Sequence, residues 1–123
     1  MTSAHDSFFA AVNTTELLEL IDSDRALLAE LVGAFREEYS GMIEDAQIAI
    51  KRSDAAGVQR VGHALKGALG ILAASGASNL AGEIEAMGKL GNLALAGAKL
   101  METEDEEHRA LETLDALLLK SVW

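Results

Sequence analysis

Residues 55–74 read AAGVQRVGHALKGALGILAA, and this stretch decides the fold. Ser53-Asp54 precedes it, and such side chains accept hydrogen bonds from the first free N–H groups of a helix. Ser75-Gly76 follows it, and glycine readily takes the left-handed conformation that ends helices. Wound at about 100° per residue, Val58, Val61, Leu65, Ala68 and Leu72 fall in one arc of about 80°. That stripe must meet a core. His63 stands almost opposite its centre, and within about 60° of it lie Ala56, Gln59, Arg60, Lys66, Gly67 and Gly70. The spacing predicts an exposed imidazole at mid-helix, with a lysine one turn away and small residues around it.

The flanking sequence supplies partners for the stripe. Asn13 or Thr14 can cap a short helix over residues 14–21, with Phe8, Phe9 and Val12 packing just before it. Asp22-Ser23-Asp24 then caps a long helix over 24–51. Its apolar positions Leu27, Leu28, Leu31, Phe35, Tyr39, Met42, Ile43, Ala46 and Ile50 recur at intervals of three and four. After residues 55–74, a shorter helix over 77–88 carries Leu80, Ile84 and Met87. Asn92 can cap a last helix over 93–120, with Leu93, Ala96, Leu100, Leu111, Leu114 and Leu118 on one stripe. Thr103-Glu104-Asp105-Glu106 also reads as a capping box that could restart a helix. One long helix is the preferred reading, because neither Gly nor Pro lies between Lys99 and Trp123. The acidic run from Glu102 to Glu107 is then expected to be a solvated face.

The prediction is an all-α, antiparallel up-down-up-down four-helix bundle in one domain over residues 1–123, with the short first helix closing one end. Composition agrees: Ala, Leu, Glu and Lys are plentiful, proline is absent, and no run alternates as a half-buried strand should. The absence of cysteine excludes disulfides, thiolate catalysis and Cys-ligated metals. A net charge of −10 argues against nucleic acid or an anionic membrane as partner. The N-terminal residues lack the pattern of a signal peptide, and a cytoplasmic location is expected.

His63 must be weighed against ordinary alternatives. Taken alone, an exposed histidine is common surface. A metal site is disfavoured, because His5, His63 and His108 are not at helical ligand spacing. A hydrolytic triad is disfavoured too, because no acidic residue lies one turn from His63 to orient it. The glycines distinguish this histidine from plain surface. Each glycine in a helix interior costs roughly 0.5–1 kcal/mol relative to alanine. Gly57 and Gly62 can be explained by close helix packing, but Gly67 and Gly70 share the histidine face. A bare backbone there suits the close approach of another macromolecule.

His63-Ala64-Leu65-Lys66-Gly67 resembles the H-x-L-K-G signature of histidine-containing phosphotransfer (HPt) domains, the phosphorelay modules of two-component systems. The likeness extends from about Glu16 to Leu118. It takes in the run from Leu27 to Phe35, Asp54-Ala55-Ala56, Gly62-His63, and Leu80, Ile84 and Glu85. One departure is expected to lengthen the histidine helix by nearly a turn: Ala73 stands where many members end it, and the break moves to Gly76.

The resemblance implies that His63 Nε2 is the phosphoacceptor and that Lys66 balances the phosphoryl charge. Gln59, Arg60, Gly67 and Gly70 would form the docking face, with Gln59 also placed to hydrogen-bond the imidazole or phosphoryl group. Expected partners are a response-regulator receiver domain, a hybrid sensor histidine kinase, or both. No nucleotide loop or acidic metal cluster occurs in the sequence. The chain is therefore expected to be a stoichiometric carrier without cofactors, its magnesium supplied by the receiver, and to be a monomer. Two other readings remain: a helical adaptor or dimerisation bundle that carries no phosphate, and the phosphoacceptor domain excised from a larger histidine kinase. Met1 and an end soon after the last helix favour a stand-alone protein.

Overall fold

Three of the helices begin on the same device. In the computed structural model, which describes residues 11–120, the side chain of Asn13 accepts from Glu16 N and opens α1 (Thr14–Leu20). Asp24 does the same for α2 (Arg25–Lys51) by accepting from Leu27 N, and Asp54 for α3 (Ala55–Ile71) by accepting from Gly57 N. Each carboxylate or amide satisfies one donor that the first turn leaves without an intrahelical partner. Two further helices, α4 (Ser75–Leu90) and α5 (Ala96–Leu118), start without a side-chain cap.

The helix ends are equally uniform. The chain leaves α2, α3 and α4 through a left-handed residue, Ser53, Ala73 and Gly91 in turn. A six-residue backbone bond then closes each end: Asp54 N to Ala49 O, Ala74 N to Leu69 O, and Asn92 N to Met87 O. Only one of the three left-handed positions is a glycine. This corrects the expected length of the histidine helix. It stops at Ile71 rather than at residue 74, Ala73 turns the chain at φ 54°, and Gly76 lies inside α4.

Asn92 does not cap α5. It belongs to the closing turn of α4, and the chain runs on through residues 92–95 before the helix starts at Ala96. From there α5 runs unbroken to Leu118, so Thr103 does not restart a helix. Thr103 is instead fully buried and bonds back to Lys99 O. The acidic run is not wholly solvated either, because Glu107 is buried.

Short turns force α2 to α5 to alternate in direction. Consecutive helices pack side by side, α2 also meets α5, and α3 makes its most extensive contact with α4. These four form the antiparallel bundle. At the end where α3 turns into α4, Asn13 N donates to Ala73 O, and α1 lies across that end with Leu17 and Val12 fully buried. Leu28, Leu65, Leu69, Leu72, Ile84 and Leu114 are fully buried between the helices. On α2 the apolar stripe largely points inward, with Phe35 stacked on Tyr39, but Leu27 is exposed in the first turn and Val32, outside the expected stripe, is buried. Phe8 and Phe9 lie outside the described residues. None of the described helices is long and apolar enough to cross a membrane.

Candidate functional site

The close pairing of α3 and α4 builds the site. A Cβ added to Gly62 would fall 2.5 Å from Glu85 N, and one added to Gly88 would fall 2.3 Å from Gln59 N. The two helices therefore touch backbone to backbone through a glycine on each side. Gly62 and Leu69 are both buried as a result, while Val61 and Ala68 are only half-buried. The core arc of α3 is thus rotated by about 40° towards Gly62 from the arc read in the sequence, at about 100° per residue.

That rotation leaves His63 in water but beside α4. Its side chain is 75% exposed, as the helical wheel predicts. The wheel of a single helix missed the neighbour. Nδ1–H of His63 donates to Glu85 Oε2 over 2.9 Å, so an orienting carboxylate exists and comes from the next helix. Glu85 belongs to the stretch of the fourth helix that resembles the phosphotransfer family, but no role could be read for it. The signal that could have found it is the pair Gly62 and Gly88, which marks where the helix backbones cross.

A carboxylate accepts hydrogen bonds and donates none, so a neutral imidazole held this way carries its proton on Nδ1. The lone pair is then on Nε2, which is free to act as a nucleophile. Lys66 leans towards the same carboxylate, with Nζ 3.8 Å from Glu85 Oε1 and its stem across Gly82. Ser78 of α4 donates to Lys66 O and ties the start of α4 to the histidine helix.

The expected docking residues surround the imidazole in different ways. Arg60 is exposed, and Gln59 is half-buried where Gly88 meets its backbone. Ala56, Gln59, Arg60, His63 and Glu85 line one open groove. Nothing lies within 4 Å of where a Cβ on Gly67 would stand, whereas one on Gly70 would meet Ser78 Oγ at 3.7 Å. The glycines of this helix thus divide into two packed ones, Gly57 and Gly62, and two on the histidine face, of which Gly67 is fully open.

The other histidines are placed differently. His108 is exposed on α5, which is diagonal to α3 in the bundle, and its Nε2 lies 3.6 Å from the Glu107 carboxylate. His5 lies outside the described residues. Among those residues, no three His, Cys, Asp or Glu side chains gather as a metal site.

Neither curated proteins nor solved structures match the sequence. The family model of the Hpt domain matches residues 30–118, from within α2 to the end of α5, and so takes in the Gly62–Glu85 crossing and the whole histidine face. With most of its length matched and its helices arranged as a bundle, the chain belongs to the Hpt domain family, the histidine phosphotransfer domains of two-component systems.

Proposed function

We propose that this domain carries a phosphoryl group on His63 between a receiver domain and a second receiver or a sensor histidine kinase. One observation carries the reading: an exposed imidazole whose Nδ1–H is held by Glu85, leaving the Nε2 lone pair free. In the transfer, the Nε2 lone pair forms a bond to the phosphorus of an aspartyl phosphate. The P–O bond breaks, and the aspartate carboxylate leaves with the electron pair. Positive charge developing on the ring is met by the Glu85 carboxylate, already in contact with Nδ1. Lys66 adds a positive field at the same turn of the helix. Reversal returns the phosphoryl group to a carboxylate, so the domain is a carrier that is charged and discharged rather than a catalyst.

Gly67 leaves open backbone where the partner's reactive loop would press against α3, and Gln59, Arg60 and Gly70 border that approach. The receiver would bring the magnesium. A phosphoryl source that depends on ATP favours the cytoplasm, the location proposed for the chain.

The test is incubation with a phosphorylated receiver domain. Acid-labile, base-stable label should appear on this chain. His63→Gln should abolish that label while changing stability by no more than about 0.5 kcal/mol, as for an exposed side chain. Label persisting on the His63→Gln chain would refute the assignment. Partner binding by an unlabelled parent chain would favour the adaptor reading.

A further inference from the structure

We infer that Arg60, rather than the signature lysine, is the cation that directly contacts a phosphoryl group on His63. The inference rests on the phosphocarrier reading and concerns which residue holds the group once it arrives.

Side chains on a helix lean towards its N-terminus and cover the turn before their own Cα. The His63 ring therefore lies over the turn that contains Gln59 and Arg60. The groove at the ring is lined accordingly, by Ala56, Gln59, Arg60, His63 and Glu85, and Lys66 is not part of it. Glu85 occupies Nδ1, so a phosphoryl group must be carried on Nε2 of an exposed ring that itself lines this groove.

The two cations near the ring also differ in what they already bind. Lys66 shares the Glu85 carboxylate with His63 and lays its stem on α4. Arg60 has no carboxylate within 4.0 Å among the described residues, although the chain carries 20 acidic residues against 10 basic ones. Arg60 also borders a separate pocket lined by Asp45 of α2, Arg52 and Asp54, and neither aspartate lies within 4.0 Å of its guanidinium. A guanidinium without a partner, three residues from the nucleophile on the same helix face, suits two phosphoryl oxygens at once, as its forked donors match that geometry.

The experiment needs no partner protein. Phosphoramidate, a small phosphoryl donor, is added to the full chain: Nε2 gains the phosphoryl group as the donor's P–N bond breaks and ammonia leaves. Phosphorus NMR then follows the second ionisation of the phosphoryl group against pH. An adjacent cation favours the dianion, so Arg60→Gln should move the midpoint upward by roughly half a pH unit, the effect of a screened charge at contact distance. Arg60→Lys should restore part of that shift, and Lys66→Gln should move the midpoint less than Arg60→Gln. A midpoint unchanged in Arg60→Gln, or moved further by Lys66→Gln, would overturn the inference and leave the carrier function standing. A parent chain that takes no phosphoryl group on His63 would instead refute the function, and the inference with it.

Discussion

Gly62 and Glu85 meet across the α3–α4 crossing with no room for a methyl group, since a Cβ on Gly62 would lie 2.5 Å from Glu85 N and 2.7 Å from its Cα. Backbone atoms cannot swing aside as a flexible side chain can. The same crossing delivers the Glu85 carboxylate to His63 Nδ1. Packing and chemistry are therefore coupled at one glycine.

Gly62→Ala and Gly67→Ala should consequently act in opposite directions. At Gly62 the added methyl must push α4 away, and overpacking of this kind costs about 1–3 kcal/mol, more than the helix-propensity gain of up to about 1 kcal/mol. At Gly67 no atom opposes the methyl, so only the propensity gain remains and the domain should become more stable by about 0.5–1 kcal/mol. Denaturant unfolding of both variants measures the difference. A larger side chain, Gly67→Arg, should keep the fold and slow transfer from the receiver. An unchanged rate would remove the docking role from Gly67.

Glu85 should govern the tautomer of His63. Without the carboxylate, an exposed imidazole populates both neutral tautomers, and protonation at Nε2 removes the nucleophilic lone pair. Glu85→Ala is expected to slow phosphoryl transfer roughly ten-fold through lost orientation and lost charge compensation. Glu85→Gln, whose amide oxygen can still accept from Nδ1–H, should fall between the two. Nitrogen NMR of the imidazole separates this from a folding effect: the population with the proton on Nε2 should rise in Glu85→Ala. If it stays at the parent level while transfer slows, Glu85 acts by some means other than the tautomer.

The sequence carries the bundle more clearly than its joints. Strong periodicity places the helices, and Asn13, Asp24 and Asp54 announce their own starts because capping is local chemistry. The end of α3 was hidden because Ala73 adopts the left-handed conformation at φ 54°, a position where glycine is the residue to look for. It is held there by Ala74 N bonding to Leu69 O and by burial against the core, and neither is visible in composition. The exposure of His63 could be read from one helix. Its partner Glu85 could not, because a wheel drawn for α3 contains no information about α4. Glu107 was misread for a related reason: a run of acids looks solvated unless the opposing helix is known.

Glu107 should make the fold sensitive to pH. Its carboxyl is buried, with Oε1 lacking a hydrogen-bond partner among the described residues, and the hydroxyl of Tyr39 on α2 is buried and unpartnered too. Burial foremost pushes the Glu107 carboxyl above its ordinary range. Beside it on α5, His108 opposes that shift and Glu104 adds to it, and Arg36 of α2 opposes it. An acid raised in the folded state is protonated more readily there than in the unfolded chain. Its contribution is fully present below the unfolded value, about 4.3 for glutamate, and is lost as pH rises through the folded value. Glu107→Gln keeps the shape and removes the ionisation. Its stability should match the parent near about pH 4 and exceed it by about 1 kcal/mol at about pH 8, where the parent must bury a charge or expose it. The measurement is denaturant unfolding of both chains across that range. Parallel pH profiles would show that Glu107 is already ionised and solvated in the fold, and that the α2–α5 seam opens around it.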